Sequence, residues 1–413
     1  MKKSIASLSA FVLTLVLIGS VWADPVPKQT ISVTSPPYCS DISGKTTLSI
    51  SAPGLTTVDV RCWKQGDGFG SDSLVGTVQL DGQGNGTIDF PADDYPHGPI
   101  TVRIGGHNDK VSDNCYLQLY NKGGVSWNEG LPKDPPGADG MKLIFADDFN
   151  KPLSISSTDT KATYYPHKPP DGSQDFSSLR FTDFDSPNNP FLQEDTYLRI
   201  RADASKNSSG LLSSVKNDGS GVAVSIPCYF ECKFIAPSAP GTWPAFWLLT
   251  NYMTAPNHGQ NMPVDELDII EAVGGEGPGA PNGDGSVKNS DLYQITPHAW
   301  NQPENKDLEK TAWQDMHDPI DMGKFGVPSS WFWTFHTYGC KITDSDTIYY
   351  LDNIEVARHP TLPASKKYPL FFLINLATGG GWPVNLSRYD GKADMYVDFV
   401  RVYSGAPDAT PVP

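Results

Sequence analysis

Glu266, Asp268 and Glu271 stand within six consecutive residues, Glu-Leu-Asp-Ile-Ile-Glu, in a run that otherwise has the composition of a buried strand. Ala272-Val273 prolongs the run and Gly274-Gly275 stops it. A pair of carboxylates is suited to displacement at a sugar carbon: one, ionised, attacks the anomeric carbon, and the other, protonated, serves the leaving oxygen. Strand side chains alternate, so Glu266 and Asp268 share a face while Glu271 has the wrong parity. One extra residue in a β-bulge restores the parity, and bulges gather beside active sites. The two glutamates then lie roughly 13 Å apart at Cα, at ~3.3 Å per residue. Their side chains can lean inward to the ~5–5.5 Å that double displacement requires. Neighbouring carboxylates resist double ionisation, which raises one pKa and divides the roles. Asp268 can hydrogen-bond the nucleophile, though spacing does not say which glutamate that is. A charged strand edge or a calcium cluster would use the same residue types.

The elements around this hexapeptide are β-strands. Thirty-eight Gly and 36 Pro, with hardly any amphipathic helical pattern, predict an all-β protein. Ten Trp, 17 Tyr and 18 Phe exceed what a core needs and suit platforms for sugar rings. The net charge of −16 disfavours nucleic acid and anionic membranes as partners. Residues 1–23 read as a signal peptide, with Lys2-Lys3, the apolar run Phe11 to Ile18 and a small-residue site at Val21-Trp22-Ala23. That run is shorter than the ~20 residues of a spanning helix. The expectation is a secreted or periplasmic monomer with no membrane association after cleavage. Cys39, Cys62 and Cys115 fall early and Cys228, Cys232 and Cys340 late, an odd number in each half. No zinc spacing links them, and they read as structural or unpaired.

Short strands broken by turn residues over 24–122 predict a small immunoglobulin-like β-sandwich with an accessory role. Residues 123–140, with Pro132, Pro135, Pro136 and several Gly, form a linker. A second β-rich domain runs over 141–405, and 406–413 is a tail.

The hexapeptide resembles the signature of glycoside hydrolase family 16 in its bulged Glu-x-Asp-x-x-Glu form, the laminarinase-like branch. Further landmarks follow in family order: Phe145-Ala-Asp-Asp-Phe-Asn150, Tyr229-Phe-Glu-Cys-Lys-Phe234, Gly241-Thr-Trp-Pro-Ala-Phe-Trp-Leu-Leu249, Phe335-His-Thr-Tyr-Gly339, Tyr350-Leu-Asp-Asn353, Leu373 to Pro383 and Tyr396 to Tyr403. The likeness covers residues 142–404. It implies a concanavalin A-like β-jelly roll of two curved antiparallel sheets with a sugar cleft on the concave face. It also implies Glu266 as nucleophile, Asp268 as its assisting acid and Glu271 as general acid/base. Trp243, Trp247, His298, Trp300, Glu231, Asn375 and Trp382 match cleft positions; a solvated edge glutamate is the alternative for Glu231, and core packing or a loop role for the others. His336 reads as structural. Asp148 and Asp398 match a structural Ca²⁺ position of the family. No cofactor is required for the chemistry.

The six-residue bulged form is shared by laminarinases, agarases and carrageenases. Lys288 is the base nearest the motif in sequence, and this scarcity of bases favours a neutral β-1,3-glucan as the substrate of an endo-acting, retaining enzyme. The insert from Pro152 to Asn189 departs from the laminarinase pattern and can shift specificity towards exopolysaccharides or galactans. A polysaccharide transglycosylase and a non-catalytic lectin-like glycan binder are the rival readings. The lectin has no need for both Glu266 and Glu271.

Overall fold

The computed structural model describes residues 30–64, 73–126, 130–170, 176–255, 261–275, 280–281, 287–288, 292–302, 320–327, 330–380 and 383–407. The expected signal peptide and the residues from 408 onward lie outside the described residues. Helical structure among the described residues is confined to short 3-10 turns, and no helix is long and apolar enough to cross a membrane.

The first unit is a β-sandwich. One sheet joins Ser32–Ser35, Lys45–Ser51 and Asn85–Pro91; the other joins Asp41–Ile42, Ser112–Asn121, Gly98–His107, Thr57–Cys62 and Ser73–Gln79. Period-two alternation sends Leu48, Ile50 and Phe90 from one sheet and Val58, Val60, Val102 and Ile104 from the other into a common core.

The second unit is a jelly roll whose strands form two curved antiparallel layers. The front layer runs Ile320–Asp321, Leu292–Trp300, Val264–Ala272, Thr242–Thr250, Leu370–Thr378 and Ser208–Ser213. The back layer runs Tyr197–Asp203, Lys392–Ser404, Cys228–Ile235, His336–Ile342, Asp346–Leu351 and Ile354–Pro360. The layers connect through the hairpin in which Asp203 pairs with Ser208.

The Thr242–Thr250 strand shows why the front layer is apolar on both faces. Phe246 and Leu248 enter the main core between the layers, whereas Ala245, Trp247 and Leu249 point to the opposite face. There they join Phe371, Leu373 and Leu211, and the chain inserted between Pro152 and Asn189 covers them with Phe176 and Phe181. The insert is tied down by reciprocal backbone bonds between Tyr165 and Ser213, at 3.0 and 2.8 Å. Tyr164 also donates to Asp147 Oδ2 at 2.9 Å.

The two units share a continuous seam. The Gln118 amide donates to the Asp394 carbonyl at 2.5 Å and accepts from its N–H at 3.0 Å. Thr101 donates to the Phe332 carbonyl at 2.8 Å, and Tyr116 meets Phe332 edge-on at 4.8 Å. Arg388 ion-pairs with Asp113. The segment read as a linker packs on the back layer: Arg401 donates to the carbonyls of Pro132 and Lys133 at 2.8 and 3.3 Å, and Tyr403 donates to Asp134 at 2.8 Å. All six cysteines are unbridged, five of them buried.

Candidate active site

The hexapeptide lies in the Val264–Ala272 strand, between Thr242–Thr250 and Leu292–Trp300. Opposite it, Phe246 pairs with Ile270 but Trp247 pairs with Asp268, so Ile269 is an extra residue. On the other side Asp268 pairs with Thr296 and Glu271 with Gln294, three residues against two. This is the bulge that the parity mismatch predicts. Ile269 and Ile270, consecutive in sequence, both enter the main core, and Glu271 emerges on the face of Glu266 and Asp268.

All three carboxylates line a cleft of about 610 Å³ whose walls carry Trp243, Ala245, Trp247, Leu249, Tyr252 and Asn375. Each glutamate is held by an indole. Trp243 Nε1 donates to Glu271 Oε1 at 3.1 Å, and Trp300 Nε1 donates to Glu266 Oε2 at 3.1 Å. His298 stacks on Trp300 with 4.8 Å between ring centroids. Its Nε2 lies 3.6 Å from Asp268 Oδ2 and 4.0 Å from Glu266 Oε1. Trp247 is buried rather than laid open as a platform: its N–H donates to Asn375 Oδ1 at 2.8 Å, and Phe176 stands edge-on to it at 5.9 Å. Asn375 is itself buried and donates to the Trp243 carbonyl at 3.2 Å, so it fixes both tryptophans. Trp300 is 45% exposed and is the ring most open to a sugar.

The electrostatics divide the acids. Burial raises Glu271, and the negative charge of Glu266 raises it further. Hydrogen bonds from Asp268 and Thr296, with the nearby His298, act in the opposite direction. Burial raises Asp268 well above the carboxylate range, reinforced by the charges of Glu271 and Glu266. Burial and the two neighbouring charges thus favour the protonated form of Asp268. The sequence reading has Asp268 assisting the nucleophile; in this structure the charges of both Glu271 and Glu266 act on Asp268, and its Oδ2 lies 3.6 Å from His298 Nε2. Asp268 and Glu271 are both pushed towards the protonated form, and the charge of Glu266 acts on each in that direction.

One expected cleft residue belongs elsewhere. Glu231 is fully buried on the outer face of the back layer, paired with Arg401 and accepting from Tyr229 at 3.2 Å. The strand Cys228–Ile235 is buried on both faces, so its alternation does not reveal which face meets the cleft. Trp382 lies outside the described residues. His336 is buried and bonds Asp352 at 2.7 Å, a structural role.

Asp148 is close enough to Asp398 to raise its pKa, but Lys233 Nζ already sits 2.7 Å from the Asp398 carboxylate. A carboxylate already paired with an ammonium is a poor match for an ion that takes six to eight oxygens. No step of the chemistry depends on that position.

Lys168 and Phe176 were not anticipated as cleft residues, yet both line it. They come from the insert, and only its proline-rich run Tyr164 to Pro170 hints in the sequence at a wall. Lys288 lies on a two-stranded ribbon, Ala280–Pro281 with Val287–Lys288.

No protein-family model matches the chain. Endo-1,3-1,4-beta-glycanase ExsH of Rhizobium meliloti (strain 1021) is 30% identical over 179 residues, 43% of this chain and 30% of its own length. Endo-1,3-1,4-beta-glycanase EglC of the same organism is 30% identical over 176 residues, with the same two shares. The chain thus spans under a third of the length of these two relatives. A beta-glucanase of Rhodothermus marinus is 26% identical over 191 residues, 42% of this chain and 56% of its own. The laminarinase of Flavobacterium sp. UMI-01 superposes with a TM-score of 0.43 at 20% identity, over 64% of this chain and all of that one.

Proposed function

We propose that the chain is an exported, retaining endo-hydrolase of β-1,3-linked glucan of the laminarinase-like branch of glycoside hydrolase family 16; its similarity to two endo-1,3-1,4-beta-glycanases supports this reading. The observation that carries this reading is the single bulge that turns three acids into one cleft, with an indole donor on each glutamate. In the first step the ionised Glu266 attacks the anomeric carbon and the bond to the leaving oxygen breaks. That oxygen takes the proton of Glu271, and a glycosyl ester on Glu266 results. In the second step Glu271, now a base, takes a proton from water. The hydroxyl adds to the anomeric carbon, the ester bond breaks and Glu266 regains its charge. Asp268 steadies Glu271 through both changes by its hydrogen bond. Trp300 and Trp243 hold the two glutamates in line, and Trp300 offers the exposed ring for stacking.

Glu266→Gln tests the reading directly. Turnover of laminarin should fall at least a thousandfold, and proton NMR of the first product of the wild type should show the β-anomer. A Gln variant with full activity, or an α-anomer released first, removes the assignment. Retained glycan binding without turnover by the wild type would instead support a lectin.

A further inference from the structure

Among the described residues that line the cleft, Lys168 is the only lysine or arginine, and the reaction above gives it no task. Its Nζ lies 5.4 Å from the centroid of the Trp247 ring, and it ion-pairs with no described carboxylate. Its backbone is fixed. Tyr164, Tyr165, Pro166 and Pro169 are buried, His167 contacts Asp183 at 3.1 Å, and Tyr165 is zipped to Ser213.

A counter-ion for the acids would close to ion-pair distance. Lys168 instead sits over the Trp247 ring in the cleft wall, acting on Asp268 through its charge but without an ion pair at contact distance. A neutral sugar packed over that ammonium would strip its water and return only hydroxyl contacts. An acidic substituent returns a charge-assisted hydrogen bond. The net charge of −16 repels a dense polyanion, but over distances beyond about 8 Å salt screens that repulsion. Occasional acid groups on an otherwise neutral chain meet the cation without the penalty.

We propose that the cleft wall formed by residues 164–170 and Phe176 selects β-glucans bearing sparse anionic substituents, carboxylate or sulfate ester, and that Lys168 reads them. This rests on the glycosidase reading of the same cleft and qualifies the expectation, drawn from the scarcity of bases near the motif, of a purely neutral glucan.

Unmodified, sparsely carboxymethylated and sparsely sulfated laminarin are compared as substrates of the wild type, Lys168→Met and Lys168→Glu. The ratio of kcat/KM on charged to unmodified laminarin should fall about tenfold in Lys168→Met, the loss of one charge-assisted contact. It should fall further in Lys168→Glu. The charged glucan that loses more identifies carboxylate or sulfate as the group read. An unchanged ratio, with the pH profile on unmodified laminarin displaced, makes Lys168 a counter-ion and overturns the proposal. If the wild type hydrolyses none of the three, the glycosidase reading fails. Binding of the same glucans to Glu266→Gln, with and without Lys168→Met, still decides the question: a preference for charged glucans that Lys168→Met abolishes supports it, and equal affinities overturn it.

Discussion

Trp243 donates its indole N–H to Glu271 Oε1 at 3.1 Å, so a residue that shapes the cleft wall also acts on the charge balance of the proposed proton donor. A donor aimed at a carboxylate favours the ionised form. Trp243→Phe removes it, and the pKa of Glu271, already raised by burial, rises further. The alkaline limb of the kcat/KM profile on laminarin should move to higher pH, with kcat lower by about tenfold, the scale of one hydrogen bond to a charged group. A limb that stays in place or moves down would separate Glu271 from the acid role.

The Glu231–Arg401 pair yields a stability prediction. Removing one partner of a buried pair leaves the other charged and uncompensated, at about 3–5 kcal/mol, whereas replacing both with apolar residues is often neutral. Urea unfolding should show Glu231→Gln weakened by about 3 kcal/mol and Glu231→Leu/Arg401→Met close to the wild type. A single variant as stable as the wild type would contradict the buried pairing.

His359 makes stability depend on acid. Its Nδ1–H donates to the Pro360 carbonyl at 2.8 Å, so Nε2 accepts from the Tyr349 hydroxyl at 3.0 Å, and the ring is neutral. Burial lowers its pKa to about 4. The unfolded chain, with an ordinary value near ~6.5, binds the proton first as pH falls. The contribution is present above pH ~6.5 and is lost as pH falls towards 4, on the order of 3 kcal/mol. Thermal melts of His359→Gln should show a shallower loss of Tm across that window; parallel curves would sink the idea.

The Asp398–Lys233 contact bears on calcium. With the ammonium in place, EDTA should leave the melting temperature unchanged within a degree or so, whereas Lys233→Met should lower it. A clear drop in Tm on chelation would show that an ion, not the lysine, balances Asp148 and Asp398.

Local rules made the core of the site legible. Three acids, two isoleucines and one parity conflict sufficed to anticipate the bulge, because alternation is a property of consecutive residues. That Glu231 lies away from the cleft was not legible, because parity divides a strand into two faces without naming them, and that strand is buried on both. Trp247 sits beside the site as expected, but Phe176 and Lys168 cover it, and they arrive from an insert about 70 residues earlier in the chain. No periodicity carries that information; tertiary closure alone brings the insert over the sheet. The seam between the units escaped for the same reason, since Gln118 and Asp394 have nothing in sequence to relate them.

Gln118 and Asp394 are 276 positions apart, and Asp394 belongs to the Lys392–Ser404 strand at the centre of the back layer. A polypeptide made from its N-terminus has its first sandwich complete while that strand is still unsynthesised. Three partners, Lys142–Asp147, Tyr197–Asp203 and Cys228–Ile235, must then wait with unpaired edges. The N-terminal unit is thus a waiting mould that presents Gln118 to the latest of the described strands. Hydrolysis should be the last property to return on refolding, after most of the tryptophan fluorescence, because such distant pairing is slow.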